Sequence, residues 1–256
     1  MEFSVAESYG YDGKVGGLIP TAGSHPGLRL YAVQKNSSAT PVTDPIDLQY
    51  PDGWVTSTPE SVCGAEYPGL NGYDPPTNTS AYCGPHCGPS AAVHSFKRAT
   101  WGYFSAVCFA TGAALLRDTG RPQGMLETCW GGTPIESWTP NENATDGLVG
   151  SSKAAGGLYN GMIAPYLQVP IKGALWYQGE ANAHNYNPYA QKMIDMIADW
   201  RQNWDIPPTL KNFTFILHQL SAYGQGDNNN VIIPGLRWSQ QGSIAPWVSN
   251  PHLIIT

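Results

Sequence analysis

The chain is short of positive charge. Its 13 Lys and Arg stand against 19 Asp and Glu, a net charge of -6, with no basic stripe or cluster. Phosphate backbones are bound by such stripes, so nucleic acid is not expected as a partner. No apolar run approaches the roughly 20 residues a membrane-spanning helix needs, so no membrane span is expected. There is no Gly-x-Ser-x-Gly or Gly-Asp-Ser elbow to mark an activated serine. Met1-Glu2-Phe3-Ser4 carries neither the basic start nor the apolar stretch of a secretory leader. Cys83-Gly84-Pro85-His86-Cys87 has no second ligand pair at zinc spacing. No internal repeat is visible.

What is present suits one α/β domain over residues 1–256, with a loop-rich insertion at about 36–95. Nine Trp and fourteen Tyr supply core, and aromatic faces also suit sugar rings. Cys63, Cys83 and Cys87 cluster in a segment rich in Gly, Pro and Asn, as in a disulfide-stapled loop. With Cys108 and Cys129 the count is odd, so at least one thiol is free or pairs elsewhere. Four acceptor sequons, at Asn36, Asn78, Asn143 and Asn212, suggest glycosylation and secretion.

Strand patterns run over Leu28–Gln34, Gln123–Trp130, Ile171–Tyr177, Phe213–Leu220 and from Leu253 to Ile255. Helical spacing covers Ala99–Thr119, with Phe104, Val107, Cys108, Thr111 and Leu115 on one face. It recurs over Gly157–Leu167 and over Pro188–Trp204, with Tyr189, Met193, Met196, Ile197 and Trp200 on one side, and near Leu236–Ala245. Strands alternating with helices predict a parallel sheet covered on both faces.

Two strand ends carry the chemistry. Ile171–Tyr177 runs into Gln178-Gly179-Glu180, which places a carboxamide and a carboxylate where open α/β sheets bind ligands. Gln123–Trp130 runs into Gly131-Gly132, followed by Thr133-Pro134-Ile135-Glu136. Thr133 as N-cap, Pro134 at N1 and Glu136 at N3 fit a capping box. Paired glycines before a capped helix aim backbone N–H groups and a helix dipole at one point, where an oxyanion binds. An ordinary turn with a polar cap accounts for either stretch by itself.

Together, Phe104-Ser105-Ala106-Val107-Cys108, Cys129-Trp130-Gly131-Gly132-Thr133-Pro134-Ile135-Glu136-Ser137-Trp138, Trp176-Tyr177-Gln178-Gly179-Glu180-Ala181-Asn182, Asp199-Trp200-Arg201, Gln219-Leu220 and Leu236-Arg237-Trp238 resemble the sialate O-acetylesterase family of SGNH-type hydrolases. The resemblance is close over Ala99–Thr256, looser over residues 1–35, and lapses over 50–95. It implies a flavodoxin-like three-layer α/β/α sandwich. It also implies removal of acetyl groups from sugar hydroxyls, above all those of sialic acids, in a secreted or lysosomal setting with no metal or other cofactor. An acetylated sugar or glycan is the implied partner. Gly131 or Gly132 would donate a backbone N–H to the oxyanion, and Gln178 its side-chain amide. Glu180 would fix the turn with Arg237 as ionic partner, while Asn182 and His184 would support the turn or touch substrate. The family's serine lies in Gly-Gln-Ser-Asn-Met, and Met1-Glu2-Phe3 resembles the residues just after that serine. His252–Thr256 resembles the strand before its Asp-x-x-His pair. The expectation is a chain without its first strand, nucleophile and base, inactive by itself, with Leu28–Gln34 and Gln123–Trp130 flanking an empty slot. Ser24, His25, His218 and His252 are weaker stand-ins. A non-catalytic carbohydrate-binding remnant and a plant-polysaccharide acetyl esterase are the alternatives.

Overall fold

The computed structural model describes residues 25–44, 53–57, 104–140, 151–221, 232–242 and 253–255. Ser24, His252, Cys63, Cys83, Cys87, Asn78 and Asn143 lie outside the described residues. The chain forms two compact units, one of residues 2–34 and 46–129, the other of residues 35–45 and 130–256.

In the first unit, β1 (Leu28–Ala32) pairs antiparallel with the two-residue β2 (Val55–Thr56) and parallel with β3 (Gln123–Glu127). The helix α1 (Ala106–Thr119) starts at Ser105, whose hydroxyl accepts from Cys108 N, and stops at Gly120 in the left-handed region. Both ends follow local chemistry: a hydroxyl satisfies an orphan N–H, and glycine takes the positive φ without a Cβ clash. The expected helix face is only partly right. Phe109 and Gly112 are buried, whereas Leu115 is exposed. Gly112 decides the contact, because a Cβ there would lie 2.6 Å from Met125 Cγ and 2.9 Å from Leu28 Cδ1. The helix therefore presses its backbone onto β1 and β3.

The expected empty slot is not there. β1 and β3 pair directly in five registered positions, Leu28 with Gln123 through Ala32 with Glu127. Gln123 N to Gly27 O (3.0 Å) and Val33 N to Glu127 O (2.9 Å) extend the ladder at both ends. β1 and β3 are each other's ladder partners on their facing edges, so the loss of partners expected between them does not arise.

In the second unit, β4 (Gly173–Trp176), β5 (Thr214–Leu217) and β6 (Leu253–Ile255) form a parallel sheet in that order. Two long helices accompany it, α2 (Tyr189–Asn203) and α3 (Ile232–Gly242). On α2 the five expected apolar residues, Tyr189, Met193, Met196, Ile197 and Trp200, are all buried, as the 3–4 spacing requires. The Gly157–Leu167 segment is a π-helical turn, Tyr159–Ile163, followed by a 3-10 turn, Ala164–Tyr166. It packs so tightly that a Cβ on Gly161 would meet Asn36 O at 2.3 Å.

Indoles fill the space beside the sheet. Trp176 meets Trp138 and Trp200 edge-on at 6.3 and 5.9 Å, and Trp200 meets Phe215 at 5.9 Å and Trp204 at 6.2 Å. Edge-on rings place a positive edge on a negative face, which adds to the burial of their area. Their N–H groups are used as well. Trp200 donates to Trp138 O, Trp204 to Val169 O, Trp138 to Thr133 Oγ1 and Trp176 to the Tyr189 hydroxyl. One of those bonds ends at the turn of Thr133, and another at the Tyr189 hydroxyl that holds Gln178.

Candidate active site

The two turns meet. Gln178 follows β4, and its Nε2 donates to Thr133 O (3.0 Å), in the residue just after the glycine pair. The same Nε2 donates to Asn182 Oδ1 (2.8 Å). Oε1 of Gln178 accepts from the Tyr189 hydroxyl at 2.8 Å, and its main-chain oxygen accepts from Gln240 Nε2 at 3.1 Å. An amide nitrogen has two hydrogens, so both are committed. Two carbonyl-type acceptors on one side and a hydroxyl on the other fix which end of the amide is nitrogen.

Asn182, in the 3-10 turn Glu180–Asn185, is the other half of the clasp. Its Oδ1 accepts from Ile135 N (2.9 Å) and its Nδ2 donates to Glu136 Oε2 (2.8 Å). This corrects the capping expectation. The helix after the glycines is one four-residue 3-10 turn, Ile135–Trp138, with no side-chain cap from its own N-terminus. Thr133 turns away, donating to Trp130 O and accepting from Trp138 Nε1. The orphan Ile135 N–H is satisfied by Asn182, 47 residues downstream. So short a turn has little dipole to offer, and the donors that matter are the glycine N–H groups. Gly131 and Gly132 are exposed, Gly132 has φ +77, and a Cβ on either would meet nothing within 4 Å. Neither N–H finds an acceptor among the described residues.

Gly179 shows why the Gln178 turn needs glycine. Its φ is +156, and a Cβ there would lie 2.6 Å from Leu236 Cδ2 on α3. Glu136 also pairs with Lys192 of α2, and both line an open cavity of ≈ 220 Å³ with Asp195. Burial raises the Glu136 pKa, but hydrogen bonds from Lys192 and Asn182 outweigh it and leave it below the usual range. A carboxyl with a lowered folded pKa stabilises fully above its unfolded value, and loses that contribution as pH falls through the folded value. The stability difference between the native chain and Glu136→Gln should therefore shrink steadily below about pH 4.3. Urea titrations at pH 7 and pH 3 check this; an equal gap at both would refute it. Burial holds Tyr189 well above the usual phenol range, so its hydroxyl keeps its proton as a donor.

The remaining expected residues divide. Arg237 donates to Gln219 Oε1 (3.2 Å), and the proposed ion pair with Glu180 is not made; the Gln219 amide nitrogen in turn donates to the Arg237 main-chain oxygen (3.1 Å). Asn182 is buried and supports the turn, whereas His184 is exposed at the end of its 3-10 turn. His218 lies edge-on to Tyr177, and burial lowers its pKa. His25 lies edge-on to Phe109. Cys129 donates to Glu127 Oε1. Of the sequons, Asn212 is exposed and Asn36 half-buried. Sequence reasoning passed over Tyr189 and Gln240 as site residues. Tyr189 sits in an apolar stripe, where only its hydroxyl betrays a second role. Gln240 is a buried amide on α3 that no spacing rule marks.

A family model for carbohydrate esterases described as sialic acid-specific acetylesterases matches residues 88–244, more than half of the chain. The sialate O-acetylesterase of Homo sapiens is 34% identical over 168 residues, covering 59% of this chain and 32% of that protein. That of Mus musculus is 30% identical over 192 residues, covering 59% and 35%. The chain thus spans about a third of the length of these curated relatives. A solved carbohydrate acetylesterase from Xanthomonas citri shares the α/β fold with a TM-score of 0.68 at 24% identity, over 100% of this chain and 46% of that one. With the glycine turn and the Gln-Gly-Glu turn both inside the matched residues, the chain belongs to the sialic acid-specific acetylesterase family of carbohydrate esterases.

Proposed function

We propose that this chain supplies the oxyanion-binding side of a carbohydrate O-acetylesterase site, with O-acetylated sialic acids as substrate. The observation that carries this reading is the junction of the two turns, Gln178 Nε2 to Thr133 O at 3.0 Å, beside the Gly131 and Gly132 N–H groups, which find no acceptor among the described residues. Acyl transfer needs preorganised donors where charge develops. A glycine N–H is one. Gln178 becomes a second by exchanging the Thr133 carbonyl, the longer of its two bonds, for the oxyanion. Tyr189 and Asn182 hold the amide with its nitrogen toward that point. A serine oxygen bonds to the acetyl carbon as histidine takes its proton; the C–O bond to the sugar breaks, and the sugar oxygen leaves with that proton. Water then attacks the acyl-enzyme and releases acetate. The serine and histidine of this scheme are assigned to no residue of the sequence, which has no recognised elbow. A secreted or lysosomal setting goes with this reading.

The test is acetate release from an O-acetylated sialoside. The 256-residue chain by itself should release none. A protein joining this chain to a serine nucleophile and its histidine should release acetate, faster from acetylated sialoside than from acetylated xylan. Turnover by the pure chain, abolished by a serine-directed phosphonate, would overturn the half-site assignment. The full commitment of the Gln178 amide favours one other reading, a carbohydrate-binding module without catalysis. That reading prevails if the joined protein binds sialoside and still releases no acetate.

A further inference from the structure

Beside the Gln178 turn lies an open cavity of ≈ 250 Å³ lined by Gln219, Pro234, Arg237, Trp238 and Gln241. Its lining is unusual within this chain. Trp138, Trp176, Trp200 and Trp204 are at most 7% exposed, and each donates its indole N–H to a protein acceptor. Trp238 is 77% exposed. The buried side of α3, Ile233, Leu236 and Gln240, faces inward, so Trp238 projects the other way. A lone exposed aromatic means little. Here the ring stands next to a guanidinium and two carboxamides, the mixture that holds a sugar: a flat apolar face for the ring C–H groups and planar donors and acceptors for hydroxyls. Arg237 spends one Nη2 bond on Gln219, which fixes its plane and leaves other N–H groups for a ligand. Among the described residues the lining holds one cation and no carboxylate, in a chain whose net charge is -6.

We propose that Trp238 and Arg237 form a subsite for an acidic sugar, the ring lying on the indole and its carboxylate accepting from the guanidinium. This rests on the acetylesterase reading and names the group that recognises the substrate. Position supports it. Arg237 and Gln240 are three apart on α3, hence neighbours on the helix surface at about 5–6 Å between Cβ atoms. Gln240 Nε2 donates to Gln178 O and its Oε1 accepts from Leu220 N, so α3 ties the residue after Gln219 to the Gln178 turn. The volume is below the ~300–1,000 Å³ of pockets for larger ligands, which fits one ring.

The experiment is calorimetric titration of the 256-residue chain with three probes: the methyl glycoside of N-acetylneuraminic acid, the methyl ester of that glycoside, and methyl xyloside. The acid should bind at least tenfold tighter than its ester, a charge-assisted contact against a neutral one, and the xyloside weakest. Trp238→Ala should lower affinity for acid and ester alike by about tenfold. Arg237→Gln should remove the difference between them. The ligand pair needs no variant, so the test stands even if Arg237→Gln folds poorly. Equal binding of acid and ester by the native chain, undiminished binding by Trp238→Ala, or no binding of any probe each overturns the subsite. Failure of the esterase reading looks different: the acid binds through Trp238 and Arg237, while the joined protein releases no acetate.

Discussion

Gln178→Ala, made in an active protein that carries this chain, lowers kcat for acetyl-ester hydrolysis by about a hundredfold or more, with KM little changed. Removing one preorganised oxyanion donor costs on the order of that factor. The donor acts on charge that exists only in the transition state, so ground-state binding is spared. The geometry adds a second cause. Gln178 also holds Thr133 O and Asn182 Oδ1, so its loss loosens the glycine turn that presents the other donor. Gln178→Glu separates the two. It keeps the shape but turns the donor into an acceptor facing two acceptors, and should be at least as damaging. Steady-state kinetics with a thermal-melt control decides, and an unchanged kcat in the alanine variant removes Gln178 from the chemistry.

Trp200→Ala is the costliest core change, at about 3–5 kcal/mol from lost burial and the cavity left behind. The ring is 5% exposed and touches Trp176, Trp204 and Phe215. It also donates to Trp138 O, and an abandoned buried carbonyl adds about 1–3 kcal/mol. Against a typical total of about 5–15 kcal/mol, that removes a large share of the stability. Urea unfolding should show the loss, with Trp200→Phe keeping more of the packing but not the hydrogen bond. The site suffers too, because Trp138 holds Thr133 and Trp176 holds Tyr189. A shift below 1 kcal/mol would show that the indole cluster is not what supports the turns.

The elements most readable from sequence were those whose cause is local. The stripe on α2 was legible because five buried residues repeat at helical spacing. The parallel strands β4 and β5 were legible as apolar runs ending in turn residues. On α1 the same rule misjudged the face, because Gly112 lets the backbone approach Met125 and Leu28, and a periodicity count gives a glycine no weight. The capping box failed for a related reason. Thr133 and Glu136 have the right spacing, but Trp138, Asn182 and Lys192 offer them better partners from a distance.

The two motifs, Gly131-Gly132-Thr133 and Gln178-Gly179-Glu180, were determined by sequence alone, since residue type and order at strand ends suffice to state a capacity for donating to an anion. The role each side chain takes was decided by tertiary structure. Asn182 caps a helix 47 residues away, Tyr189 orients an amide, and Arg237 turns to Gln219 instead of Glu180. Hydrogen-bond partners across long separations depend on where packing brings two backbones, and packing is set by the volumes of indoles and glycines that no local rule adds up.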